Sequence, residues 1–206
     1  ITLLLLVVVA FAYLNLVCVC WAMANPILLV WKSYPAAGKT SISSVLQREL
    51  GFSVLDYYAI REEMYGKRFA DLTPEQQRSI WPEVNRRKHE LLYTGSDIII
   101  DSAHRSNRRA RISLDTTYQE REIPADKYLA VLRVERKELE RRELLRKGTL
   151  GSLELCDQDW EEPEPNPQGY QLLEYHNNDF DDQRLVIEDL KMRFERRGKI
   201  LVPVSR

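Results

Sequence analysis

The chain has 206 residues, a length that suits one domain and leaves little room for a second. Its 30 Lys and Arg residues nearly balance its 31 Asp and Glu residues, and a net charge of −1 excludes a histone-like or polybasic binder of polyanions. With 44% hydrophobic and 30% charged residues, the composition also excludes a disordered or collagen-like chain.

The N-terminal segment, residues 1–24, differs in composition from everything that follows it. No charged residue precedes Lys32, and the segment is long and apolar enough to span a bilayer as a helix. It could instead be a secretory signal, or upstream sequence translated before a natural start at Met23. We therefore divide the chain into this hydrophobic segment and a single domain at 25–206, with membrane contact expected only if residues 1–24 form a genuine span.

Cysteine usage favours a reducing compartment for the domain. Only Cys156 lies in it, so the domain can build neither a disulfide framework nor a metal site based on cysteines. The three histidines show no metal-ligand spacing. These features predict a cytoplasmic protein, or a membrane-anchored one if the hydrophobic segment is real, and no obligate protein partner is evident.

From residue 26 onward, short apolar runs alternate with helical patterns, which is typical of βαβ units on a parallel sheet. The predicted strands are 27–31, 53–55, 97–101, 128–134 and 200–204. The predicted helices are 40–50, 59–65, one from Thr73 to Gly95, 105–114, 137–147 and 183–196, and 161–169 is a proline-bearing loop. Pro82 is expected to kink or restart the third helix, and the inward positions of the fifth are expected to be Leu139, Leu144 and Leu145. The fold class is therefore α/β, with a parallel sheet of about five strands.

A phosphate-binding loop is predicted between the first strand and the first helix. Its sequence is Ser33-Tyr34-Pro35-Ala36-Ala37-Gly38-Lys39-Thr40, followed by Ser41. The pattern G-x-x-x-x-G-K-[ST] is matched at its last three positions, and Ser33 replaces the first glycine. We expect residues 35–41 to bind the nucleotide, with Lys39 on the β- and γ-phosphates and the Thr40 hydroxyl on Mg²⁺. The alternative is an ordinary strand-to-helix turn that contains Gly-Lys-Thr.

Two aspartates and two arginines are the candidate catalytic residues besides Lys39. Asp56 and Asp101 end the second and third strands, the place where open α/β sheets bind ligands. Either could orient the attacking hydroxyl or hold Mg²⁺, and either could simply cap the next helix. Arg142 and Arg146 lie four residues apart on one helix, where they could cover the ATP phosphates or pair with neighbouring glutamates.

Several stretches carry a family resemblance: 27–40, 54–66, 95–109, 128–146 and 160–170. They resemble the polynucleotide-kinase-like P-loop kinases, a group that includes phage polynucleotide 5′-hydroxyl kinase, zeta-toxin-type kinases and seryl-tRNA kinase. The resemblance implies a P-loop NTPase fold, a three-layer α/β sandwich that uses ATP and Mg²⁺. In that group, the proline-bearing segment precedes a late strand, which 160–170 would do here.

The resemblance also assigns roles to residues of this chain. The positions that match are Lys39, Thr40, Arg61, Asp101, and Arg142 or Arg146. Lys39 and Thr40 match contacts to ATP and Mg²⁺, and Arg61 matches a substrate-side arginine. Asp101 matches the acid after the third strand, which would also bind the metal. Arg142 or Arg146 matches the lid. Tyr58 stands where the family has its general base, so either Asp56 takes that role or transfer activity is weakened or lost.

Together these features predict an ATP-dependent phosphotransferase that moves the γ-phosphoryl group to a hydroxyl. The acceptor is either a nucleic-acid 5′-hydroxyl or a small molecule, and the near-neutral charge favours the small molecule slightly. The alternative is a nucleotide-binding module or NTPase with weakened or lost kinase activity, for which the departures at Ser33 and Tyr58 speak.

Overall fold

The computed structural model describes residues 24–67, 69–165 and 167–195. The strands in these residues are β1 (Ile27–Ser33), β2 (Ser53–Asp56), β3 (Ile98–Asp101), β4 (Thr117–Tyr118), β5 (Arg121–Glu122), β6 (Asp126–Arg133) and β7 (Gln171–His176). The α-helices are α1 (Lys39–Leu50), α2 (Tyr57–Tyr65), α3 (Pro74–Tyr93), α4 (Asn107–Leu114), α5 (Arg136–Lys147), α6 (Gly151–Asp159) and α7 (Phe180–Glu195). A short 3₁₀ turn covers Phe69–Asp71.

Five of these strands form a parallel sheet in the order β2-β3-β1-β6-β7. β1 lies at its centre, where Val30 is opposite Ile100 of β3 and Leu129 of β6. Every residue of β1 is buried, which explains why its sequence is a continuous apolar run without alternation. The prediction of a parallel sheet of about five strands is confirmed.

Helices cover both faces of the sheet and give three layers. Alternate side chains of a strand point to opposite faces, so Leu29 and Trp31 enter one core while Leu28 and Val30 enter the other. The first core contains apolar residues of α1, α5, α6 and α7, and the second contains those of α2, α3 and α4. Each fully buried Leu or Ile contributes about 2 kcal/mol of transfer free energy, and the two cores anchor the loops at the carboxyl ends of the strands.

Local signals account for several helix ends. Gly38 precedes α1 and Gly51 ends it, both in the left-handed region, and Thr73 with Gln76 forms a capping box at the start of α3. Pro82 lies inside α3, and the helix continues through it to Tyr93. Of the two predicted alternatives, the restart is wrong and the kink stays a prediction. Ile80 before the proline and Val84 after it both pack in the second core and hold the helix on both sides of the missing N–H donor.

The inward face of α5 differs from the prediction. Leu139 is buried as expected, but Leu144 and Leu145 are 47% and 76% exposed. Glu143, which shares the face of Leu139 at a spacing of four residues, is fully buried instead. Its carboxylate accepts a hydrogen bond from the Ser152 hydroxyl of α6, and this partner, absent from the local pattern, allows an acid to point inward.

The remaining differences concern the second half of the chain. The hairpin β4–β5 and helix α6 were not predicted, and helix α4 begins two residues later than expected, after the Ser106 cap. The late strand implied by the resemblance is present as β7. The predicted strand at 200–204 and nearly all of the hydrophobic segment lie outside the described residues. Within the described ranges, every helix is too short or too polar to span a bilayer.

Candidate phosphate-binding site

The loop between β1 and α1 contains two residues in the left-handed region, a backbone feature that anion-binding loops use. Ala36 and Gly38 have φ of +60° and +93°, and such left-handed residues in a turn direct successive N–H groups into one concavity. The concavity opens at the N-terminus of α1, where the helix dipole adds positive potential. Ser33 belongs to β1 and pairs with Leu132, so the position that is glycine in the consensus needs no left-handed backbone here.

Lys39 and Asp101 face each other across this loop. Asp101 ends β3 and is only 4% exposed. Burial raises the pKa of its carboxyl, while the charge of Lys39 and a hydrogen bond with Thr40 act in the opposite direction. Burial likewise lowers the pKa of Lys39, which the charge of Asp101 opposes. The predicted Lys39, Thr40 and Asp101 are therefore together at one end of the sheet.

This group suits a magnesium ion that is shared with a phosphate. The Oδ2 atom of Asp101 is buried and has no hydrogen-bond partner among the described residues, although a buried carboxylate oxygen normally has one. In the same part of the chain, no cluster of three or more His, Cys, Asp or Glu residues could bind a metal without further ligands. Mg²⁺ commonly uses one or two protein oxygens together with phosphate oxygens, which Asp101 and Thr40 can supply.

Asp56 lies beside Asp101, because the two residues are partners in the β2–β3 register. One of its carboxylate oxygens, Oδ1, accepts hydrogen bonds from the backbone N–H groups of Tyr58 at 2.7 Å and Ala59 at 3.4 Å. Asp56 thus caps α2, which is the structural alternative considered for it. The cap uses Oδ1 only and holds the carboxylate at the carboxyl edge of the sheet, next to Asp101.

Arg142 and Arg146 lie on α5 beside the loop, and both are paired. The Arg142 guanidinium donates to Glu138 at 2.7 Å and to the Asn178 carbonyl at 2.8 Å, and its Nη1 lies 3.9 Å from the place of a Cβ on Gly38. Arg146 pairs with the buried Glu143, and its charge helps to lower the pKa of Lys39. Both arginines are therefore paired with glutamates of their own helix, which is the alternative considered above, and these ion pairs hold both guanidinium groups close to the loop.

Arg61 is the least compensated arginine near the second strand. Its side chain is 16% exposed, and its Nε is buried without a hydrogen-bond partner among the described residues. In the same part of the chain it makes a 3.6 Å ion pair with Glu62 and lies 5.6 Å from the ring centroid of Tyr58. Arg61 and Arg109 both act against the burial that raises the pKa of Tyr57, which begins α2. Arg61 and Arg109 therefore lie near Tyr57, on the side of the sheet opposite to α5.

A cavity of about 580 Å³ lies on the other side of the loop. It is bounded by the loop, by α5 and by the connection from β7 to α7, with the lining residues Ala36, Gly38, Ser41, Glu138, Arg141, Arg142, Asn177, Asn178, Asp179, Phe180 and Gln183. The Phe180 ring is 78% exposed at its rim. The cavity adjoins the phosphate loop and has both apolar and hydrogen-bonding walls.

Two features of the site were missed by the sequence analysis. Asn177 follows β7 and contacts the loop, and it could have been found from the rule that ligands lie beyond the carboxyl ends of strands. Lys32 is the second missed feature, and the signal that could have revealed it is a charged residue at the end of an apolar strand. It is fully buried, donates to the Arg105 carbonyl at 2.7 Å and lies 4.9 Å from the ring centroid of Trp160, which stacks on Tyr34 of the loop.

Several solved structures with this architecture are described as kinases. A protein of Chloroflexus aurantiacus assigned as a kinase matches with a TM-score of 0.63 and 19% identity, covering 85% of this chain and 99% of its own. A sugar kinase from Janibacter matches at 0.61 and 15%, covering 82% and 95%. An APS kinase from Mycobacterium tuberculosis, solved with AMPPNP and APS, matches at 0.56 and 16%, covering 82% and 99%. The chain has the P-loop kinase fold.

The sequence comparisons add no closer relationship, because no family model and no curated protein matches the chain. The three-layer sandwich expected from the resemblance is confirmed by these structures. Membership of the polynucleotide-kinase-like group stays a prediction.

Proposed function

We propose that this protein is an ATP-dependent phosphotransferase that moves the γ-phosphoryl group to a hydroxyl acceptor. The observation that carries the proposal is the grouping of Lys39, Thr40 and the buried, unpartnered carboxylate oxygen of Asp101 around a loop with the backbone of an anion nest. The kinase fold supports the same conclusion.

The nucleotide binds along the loop in this proposal. Its phosphates accept hydrogen bonds from the loop amides and from Lys39, and its base occupies the 580 Å³ cavity against Phe180. Thr40 and Asp101 hold the Mg²⁺ ion, which, when bound, neutralises phosphate charge. Arg142 and Arg146, already placed by their partners, stabilise negative charge on the transferred group.

The acceptor binds on the side of Tyr57. Asp56 orients the acceptor hydroxyl and accepts its proton through Oδ2, because Oδ1 is used by the helix cap. Arg61 and Arg109 favour an acceptor that carries an acidic group, since both lie near Tyr57 and the ion pair of Arg61 is a long one at 3.6 Å. A small anionic alcohol fits better than a nucleic acid, because most other arginines in the described ranges are paired with acids and form no extended basic surface there.

The test is transfer of label from γ-labelled ATP to three acceptor classes: oligonucleotides with a 5′-hydroxyl, nucleotide sugars, and small hydroxy acids. Asp56→Asn keeps a good helix cap, so we expect ATP affinity within about twofold of wild type but turnover lowered at least about 100-fold. Asp115→Asn is the matched control, because Asp115 also accepts a backbone N–H but lies at the opposite edge of the sheet. Lys39→Met should weaken ATP binding roughly 10- to 100-fold.

The second candidate function is nucleotide binding without transfer. It is favoured by one observation, the engagement of Asp56 in the cap of α2 at the place where a general base is needed. Wild-type protein that binds ATP but labels no acceptor would replace the kinase proposal with this one. Wild-type protein that does not bind ATP would refute both.

A further inference from the structure

Asn177 is the buried side chain that joins the end of β7 to the phosphate-binding loop. It is 1% exposed, and its backbone N–H donates to the Arg133 carbonyl at 2.9 Å, extending the contact between β6 and β7. Its side-chain Nδ2 donates to the carbonyl of Ala37 at 2.6 Å, across 140 residues of sequence. The loop is thus tied to a strand two positions away in the sheet.

This hydrogen bond determines which way one peptide of the loop faces. The Ala37–Gly38 peptide is planar and trans, as are all described peptide bonds, so its C=O and its N–H point in opposite directions. Holding the Ala37 oxygen against Asn177 therefore turns the Gly38 N–H away from Asn177. A reversed peptide would direct an oxygen toward the phosphates and remove one donor from the nest.

The orientation of the Asn177 amide follows from its surroundings. Reversing it would bring Oδ1 against the Ala37 oxygen, so Nδ2 must be the contacting atom, and Oδ1 remains buried without a partner among the described residues. Nδ2 also lies 2.4 Å from the place of a Cβ on Gly38, so it occupies the space that only a glycine leaves free. The left-handed Ala36, which costs about 1 kcal/mol without glycine, adds to the need for an external restraint.

We infer that Asn177 is a positioning residue for phosphate binding, which orients the Ala37–Gly38 peptide so that the Gly38 N–H donates to the nucleotide phosphates. The inference rests on the proposed function, because it assigns the loop to a triphosphate. Asn177 acts through the peptide and needs no direct contact with the phosphates.

The experiment measures dissociation constants by calorimetry for two probes, inorganic tripolyphosphate with Mg²⁺ and adenosine. Asn177→Leu keeps the side-chain volume and removes both the donor and the unpartnered oxygen, so the variant should fold. We expect about tenfold weaker binding of tripolyphosphate and a much smaller loss for adenosine, because Asn177 borders the cavity assigned to the base but is only 1% exposed. Asn177→Asp, which cannot donate when ionised, should bind tripolyphosphate more weakly still.

Tyr175→Phe is the matched control. Tyr175 lies on β7 two residues before Asn177, and its hydroxyl donates to Asp189 of α7 at 2.7 Å instead of to the loop. The control should bind both probes like wild type. Unchanged tripolyphosphate binding by Asn177→Leu, or an equal loss of both probes, would overturn the positioning role, whereas wild-type protein that binds neither probe would overturn the proposed function itself.

Discussion

Replacing Gly38 with alanine should destabilise the protein for two separable reasons. A Cβ-bearing residue at φ +93° costs about 1–2 kcal/mol in the left-handed region. The new methyl would also stand 2.4 Å from Nδ2 of Asn177, which must move and give up its hydrogen bond to Ala37, at a further cost of about 1 kcal/mol. We expect Gly38→Ala to lower the free energy of unfolding by roughly 2–3 kcal/mol.

Gly51→Ala separates the two contributions. Gly51 has φ +75°, but a Cβ built there meets nothing within 4 Å, so only the backbone cost remains. Its expected loss is therefore the backbone cost alone, about 1–2 kcal/mol. The double variant Gly38→Ala/Asn177→Ala provides a second separation, because the shortened side chain leaves room for the methyl group. Its loss should be smaller than the sum of the single losses by about 1 kcal/mol.

The assay is urea denaturation followed by circular dichroism, with the free energy of unfolding obtained by linear extrapolation. The reasoning fails if Gly38→Ala costs no more than Gly51→Ala. It also fails if the losses of the double variant are additive, because the close contact between the two side chains would then have no energetic effect.

Two further predictions concern buried titratable groups. Burial lowers the pKa of His104 to about 4 in the folded protein, against about 6.5 in the unfolded chain. Between these two pH values the unfolded chain binds the proton more strongly. The free energy of unfolding should therefore fall by roughly 3 kcal/mol as the pH is lowered from 6.5 to 4. His104→Asn should flatten this dependence in urea titrations at several pH values, and an unchanged slope would contradict it. Glu143→Ala removes the buried acceptor of Ser152 and the partner of Arg146, and should cost about 2 kcal/mol in thermal denaturation. Glu140→Ala on the exposed side of the same helix should cost less than about 0.5 kcal/mol, and equal losses would refute the structural role of Glu143.

The first half of the fold could be predicted because its signals are local. The apolar run of β1, the left-handed glycines around α1 and the capping box at Thr73 each reflect the chemistry of a few neighbouring residues. The meeting of Asp56 and Asp101 was also predictable, since parallel strands end at the same edge of a sheet.

The second half depends on partners that are distant in sequence. Glu143 points inward because Ser152 on another helix receives it, whereas the local pattern favoured Leu144 and Leu145. β7 is an edge strand with largely polar, partly exposed residues, so its hydrophobic signal is weak. The contact of Asn177 with Ala37 spans 140 residues, and no spacing rule within one segment can reveal it.

The proposed nucleotide cavity and the proposed acceptor side near Tyr57 are supported by different hydrophobic cores of the protein. The walls of the cavity beside α5 and α7 rest on the core that contains Trp31, and the Tyr57 side rests on the core that contains Val30. Val30 and Trp31 are successive residues of β1 and enter different cores. A substitution in the core under one proposed binding site should therefore leave the other site largely unchanged. If the proposed function holds, substitutions in the core beneath Tyr57 should change acceptor preference and leave nucleotide affinity nearly unchanged.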